Sequence, residues 1–120
     1  MCDTNIFINW FNNDKKTIDK LNQIGLDRIA VSVITVMELI QGVDNKEQLQ
    51  QLKKKIKHYA IVDFTKEVSE LSLQLMANYK LSHNLQIPDA IIAATSVIYK
   101  IPLFTYNLKD FKYIPKIELV

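Results

Sequence analysis

Four carboxylates stand beside apolar runs in this chain: Asp3, Glu38, Asp89 and Asp110. Each lies where a strand is expected to end or a helix to begin. Their contexts are Asp3-Thr4-Asn5, Thr35-Val36-Met37-Glu38-Leu39, Ile87-Pro88-Asp89-Ala90 and Thr105-Tyr106-Asn107-Leu108-Lys109-Asp110-Phe111. Where parallel strands alternate with helices, the carboxyl ends of the strands share one edge of the sheet, and ligands bind there. Carboxylates gathered from four distant segments repel one another unless a cation compensates them. Hard divalent ions such as Mg²⁺ take oxygen ligands, commonly a few carboxylates with water. The set therefore points to a divalent-cation site.

The elements that would position these residues follow from hydrophobic spacing. Apolar Ile6, Phe7, Trp10 and Phe11 have helical spacing within Asn5–Asn12, directly after the stub Met1-Cys2. Lys15–Ile24 repeats the pattern, and Gly25 is a good helix stop. Ile29–Ile34 is a β-branched run that reads as a buried strand. A helix is expected from Thr35 to Ile40, ended by Gly42, and a polar amphipathic helix from Lys46 to Lys57. Ala60–Phe64 reads as a second strand and Thr65–Lys80 as a long helix. Pro88 suits the first turn of the most apolar helix, which runs to Lys100. Pro102–Thr105 and Ile117–Val120 complete the strands. Alternation of this kind implies one α/β domain over residues 1–120, a three-layer α/β/α arrangement around a mostly parallel sheet.

Taken singly, each acid has an ordinary structural reading. Asp3 is a good N-cap. Thr35-x-x-Glu38 has the form of a capping box, in which the glutamate reaches back to the start of the helix. Asp89 sits in the first turn of a helix, where the dipole favours it. Asp110 could close a short turn after Asn107. The set carries more than its members, because Asp3, Glu38 and the Asn107–Asp110 segment each follow a strand and so share one edge.

Composition bounds the rest. The chain has 120 residues, 48% hydrophobic and 23% charged, enough for one core. The single cysteine, Cys2, excludes an internal disulfide and fits a reducing cytoplasm. No apolar stretch has the length of a membrane span, and no signal peptide is expected. Net charge is +2, so the chain outside the four acids is distinctly basic, with Arg28 the only arginine. An acidic site in a basic envelope suits a polyanion. Lysines 53, 54, 55 and 57 could meet phosphates, although a solvated surface explains them equally well.

The motifs, taken in order, resemble the PIN-domain family, and within it the VapC-type toxins of bacterial toxin–antitoxin pairs. The residues that carry the resemblance are Asp3-Thr4-Asn5, Ser32-x-x-Thr35-x-x-Glu38-Leu39-x-x-Gly42, Pro88-Asp89-Ala90-Ile91-Ile92-Ala93-Ala94-Thr95 and Thr105-x-Asn107-x-x-Asp110-Phe111. They span essentially the whole chain. The resemblance implies an endoribonuclease dependent on Mg²⁺ or Mn²⁺, which hydrolyses RNA phosphodiesters with a metal-activated water. Asp3, Glu38, Asp89 and Asp110 would be its catalytic, metal-binding acids. Thr4, Asn5, Thr105 and Asn107 would stand behind them and orient carboxylates and water. His58 and His83 match no family position and read as surface residues. In two places the chain departs from the family pattern: only two residues precede Asp3, so either the central strand is short or the start has been trimmed, and Asn107 stands where many relatives carry an acid.

The resemblance also implies partners: an RNA substrate, a small antitoxin whose tail blocks the acidic groove, and a second copy in a homodimer. Ile6, Trp10 and Phe11 could line the antitoxin's groove or belong to the core. Competing functions remain in view. A phosphatase with an aspartyl nucleophile would need an acid two residues after the first, and Asn5 occupies that place. A receiver-type signalling domain would need paired acids ahead of Asp3. A PIN fold that only binds, or one that processes RNA as housekeeping, stays open.

Overall fold

A computed structural model describes all residues 1–120. The order of elements is α1 (Thr4–Phe11), α2 (Lys15–Ile24), β1 (Ala30–Ser32), α3 (Val33–Gln41), α4 (Lys46–Ile56), β2 (Ala60–Val62), α5 (Lys66–His83) and α6 (Ile87–Tyr99). Short 3₁₀ turns occupy Leu26–Arg28 and Leu108–Asp110. β1 and β2 are parallel, with Ala30 opposite Ala60 and Ser32 opposite Val62.

Three further extended segments continue this sheet by single bridges. The Cys2 N–H donates to the Ala30 carbonyl at 3.1 Å, and the Asp3 N–H donates to the Phe104 carbonyl at 2.9 Å. The Leu103 N–H donates to Glu118 at 2.8 Å, and the Val120 N–H returns to Leu103 at 2.9 Å. The bridges Cys2–Phe104 and Leu103–Leu119 are parallel. The spatial order is therefore β2, β1, Met1–Asp3, Leu103–Phe104, Glu118–Val120, with the last two pairings parallel like that of β1 and β2. Asp3 thus lies at the carboxyl end of the central segment.

Alternation along these segments splits the core into two layers. Met1 and Leu103 face a cluster with Val68, Leu75, Ala90, Ala93, Phe111 and Ile114. Their neighbours Cys2 and Phe104 face the opposite cluster, with Ile6, Phe7, Leu21, Val31, Leu39 and Leu52. Successive side chains point to opposite faces of a sheet, so each segment feeds both layers. Helices α5 and α6 cover the first face, and α1 to α4 cover the second. This is the three-layer arrangement with a parallel sheet.

Several boundaries depart from expectation for local reasons. Val33 and Ile34, read as strand from their branching, belong to α3. Ser32 ends β1 and caps that helix, its Oγ accepting from the Thr35 N–H at 3.2 Å. Thr35 is consequently inside the first turn, and the expected capping box with Glu38 does not form. Its glutamate is left free for another partner. α5 extends to His83, beyond the expected Lys80, and stops at Asn84 in the left-handed conformation (φ 53°). Asn tolerates that geometry well.

Candidate active site

Asp3 is the most enclosed of the four acids, at 4% exposure. It is the N-cap of α1, with one carboxylate oxygen accepting from the Thr4 N–H at 2.7 Å. The other accepts from the Thr105 hydroxyl at 2.8 Å. Two bonds leave further lone pairs on an ionised carboxylate, which offers about four acceptor sites. Burial raises the Asp3 pKa, the two hydrogen bonds oppose that, and Asp110 adds to the rise. Capping and ligand duty are therefore compatible in this residue.

Glu38 reaches the same edge from α3, where the Thr4 hydroxyl donates to its Oε1 at 2.8 Å. Thr4 thus ties two acids together, holding Asp3 by its backbone and Glu38 by its side chain. Asp89 stands in the first turn of α6, behind Pro88. Burial pushes its pKa up to about 6, with further contributions from Asp3, Asp110 and Glu38 in that order. The other three carboxylates thus lie near enough to Asp89 to disfavour its charge, although burial is the larger cause. Asp110 closes the 3₁₀ turn after Asn107 and is solvent-exposed.

Behind the acids, Thr105 is buried and also accepts from the Asn107 N–H at 3.0 Å. Asn107 acts here through its backbone. Asn5 Oδ1 is buried and has no hydrogen-bond partner. The four carboxylates offer oxygen donors only, which is the chemistry a hard divalent ion takes. Burial pushes the neighbouring Cys2 thiol up to about 11, so it contributes a neutral core side chain and no thiolate. As placed, no three acidic side chains stand close enough to hold an ion between them. Mutual repulsion favours that spacing.

Residues 1–117 match the sequence profile of the PIN domain. The chain belongs to the PIN-domain family. Among its relatives is a ribonuclease VapC of Rickettsia bellii, 30% identical over 102 residues, covering 78% of this chain and 76% of the relative. Among solved structures, a toxin–antitoxin complex from Klebsiella pneumoniae matches with a TM-score of 0.81 and 33% identity, over 97% of this chain and 92% of that one. VapBC2 from Rickettsia felis, bound to a DNA fragment from its promoter, matches with a TM-score of 0.82 and 26% identity. That match covers 100% of this chain and 96% of the other.

Two features of this PIN domain lie beside the acids and were not legible in the sequence. Tyr113 has its pKa raised by burial first and then by Asp110 and Asp89, so both acids are near enough to disfavour its phenolate. His83 stacks on Tyr113, with centroids 3.9 Å apart and planes 16° apart. Nothing in the local sequence of either residue announces the pair, because α5 and the segment after Asp110 meet only in the fold. His58 and His83 are both exposed, but His83 is anchored by this stack.

On the first helix the core reading of the apolar residues holds. Ile6 is fully buried and belongs to the core, so it cannot line a docking groove. Trp10 and Phe11 are half-buried in an aromatic cluster with Phe7 and Tyr59. Phe11 does border a cavity of about 450 Å³ that also includes Ile8, Glu38, Gly42 and Lys55. It adjoins the acidic cleft through Glu38.

Proposed function

We infer that this chain is a VapC-type toxin, an endoribonuclease that hydrolyses RNA phosphodiester bonds with the help of Mg²⁺ or Mn²⁺. The observation that carries the reading is the joining of Asp3 and Glu38 through Thr4, beside an Asp89 carboxyl that burial first, and the other three acids after it, push upward. A protein that keeps four like charges in one partly buried cleft needs a compensating cation for a purpose, and relatives named ribonuclease VapC supply the purpose. Asp3, Glu38, Asp89 and Asp110 would hold the ion, which when bound supplies an acidified water and neutralises charge on the phosphate.

The chain's own groups then have separate tasks. Thr105 and the Thr4 N–H fix the Asp3 carboxylate in one orientation, and the Thr4 hydroxyl does the same for Glu38. Asn5 Oδ1 is free to accept a hydrogen bond from a water in the cleft. The hydroxyls nearest the acids, those of Thr4 and Thr105, already donate to Glu38 and Asp3, so in this reading the attacking group is water.

The partners in this reading are RNA, a small antitoxin and a second copy of the chain. The Klebsiella pneumoniae relative is a toxin–antitoxin complex, which supports the antitoxin. The cavity bordered by Phe11 and Glu38 gives an antitoxin tail a route into the cleft. A second copy has an apolar groove available, where Phe64, Leu73 and Ile87 are exposed around about 470 Å³. The site of action would be the cytoplasm, where RNA and a reducing medium for Cys2 are found; no helix is long and apolar enough to cross a membrane.

The test is incubation of antitoxin-free protein with end-labelled structured RNAs, in Mn²⁺ or in EDTA. Discrete products in Mn²⁺, absent in EDTA and absent for Asp89→Asn, are expected. A folded protein that cuts none of a broad RNA panel, wild type and variant alike, would leave a binding module as the better reading.

A further inference from the structure

His83, Tyr113 and Tyr79 form a three-ring cluster with an open side. His83 lies flat on Tyr113, while Tyr79 meets the His83 ring edge-on at 5.7 Å and 72°. Tyr79 also braces Tyr113 at 5.0 Å and 57°. The Ser82 hydroxyl bonds His83 Nδ1 at 2.7 Å, which fixes the rotation of the ring. Tyr79 and Tyr113 are half-buried and packed against the core, so the base of the stack is rigid. His83 is exposed, leaving its outer face to solvent.

The position of this stack is as informative as its form. α5 ends at His83, and α6 starts at Ile87 with Asp89 in its first turn, so both residues lie at the same end of that helix pair. Tyr113 follows Asp110 by one short turn. The inner face of the His83 ring packs on Tyr113, and the exposed ring stands at the end of α5 nearest the start of α6 that carries Asp89. That ring matches the π-face of an unpaired nucleobase, which stacks on aromatic side chains without demanding one sequence.

We propose that the His83–Tyr113 stack is a platform for one unpaired RNA base, seating the strand so that a neighbouring phosphate enters the acidic cleft. The proposal rests on the ribonuclease reading for its substrate. His83 is in this account a positioning residue, which touches the base and leaves the reacting phosphate to the carboxylates. Bases that stay paired within a helix cannot reach it, so the platform selects loops and single strands.

The experiment uses single-stranded RNA carrying 2-aminopurine at successive positions, a base analogue whose fluorescence falls when it stacks. Binding is recorded in Ca²⁺, a hard ion that neutralises the cleft, and cleavage is followed separately in Mn²⁺. Wild type is expected to quench one position strongly. His83→Ala should abolish that quench and weaken binding on the order of tenfold, the size of one base–aromatic stack. His83→Phe, which keeps a flat ring, should restore both. Equal quenching by wild type and His83→Ala, or no quenched position at all, would overturn the proposal and leave the face to a protein side chain. The cleavage arm decides the ribonuclease reading independently, so the two failures are distinguishable.

Discussion

Replacing Asp89 by asparagine should make the cation-free protein more stable at neutral pH. In the folded chain Asp89 titrates at about 6, against about 3.9 for an unperturbed aspartate. Two units at 1.36 kcal/mol each give about 3 kcal/mol. Asp89 is only half-buried, so solvent screening reduces the net penalty to about 1–2 kcal/mol. The raised folded-state pKa fixes the direction. Below about pH 4 Asp89 is protonated in both states and the penalty is absent. Between about pH 4 and 6 the folded protein keeps a proton that the unfolded chain has released, so stability falls as pH rises. Above about pH 6 the penalty is complete. Urea unfolding of wild type and Asp89→Asn in EDTA, at pH 4 and pH 7.5, measures it. The variant should gain about 1–2 kcal/mol at pH 7.5 and nearly nothing at pH 4. A variant that is no more stable at pH 7.5, or a gap independent of pH, would refute the claim that burial and the neighbouring carboxylates together disfavour the Asp89 charge in the fold.

Three further outcomes follow from the same contacts. Thr105→Val removes the hydroxyl that holds Asp3 while keeping the volume, and should weaken Mn²⁺ binding about 10–100-fold in a calorimetric titration, with the fold intact by circular dichroism. Phe7→Ala empties the centre of the aromatic cluster under α1 and should cost about 3–5 kcal/mol in urea unfolding. Gly25 joins α2 to the following turn at φ 98°, and an alanine Cβ there would meet Asp27 Oδ1 at 3.1 Å. Gly25→Ala should therefore lose about 1 kcal/mol or more, read as a lower thermal midpoint.

Helices were the legible part of this fold because their signals are local. The periodicities of α1, α2 and α6 and the stops at Gly25 and Lys100 sit within single segments. Strands were harder, since β1 and β2 have only three residues each and the remaining sheet is held by single bridges. At Ser32 and Thr35 two good capping residues stand three apart, and sequence alone does not choose between them. Packing chose Ser32, which moved Val33 and Ile34 into α3 and directed Glu38 toward Thr4. Asp3 and Glu38 were legible as neighbours because strand ends in a parallel sheet meet, and Thr4 joins them. The His83–Tyr113 stack was not, because it depends on how the end of α5 meets a turn after Asp110.

The most direct test of the central claim is Mn²⁺ titration of the purified chain beside Asp3→Asn, Glu38→Gln, Asp89→Asn and Asp110→Asn. If acids from four segments form one cation site, wild type binds and every substitution weakens binding, with Asp3→Asn and Asp89→Asn losing most. Equal binding by all five proteins would contradict it, because the carboxylates would then share a cleft without sharing an ion.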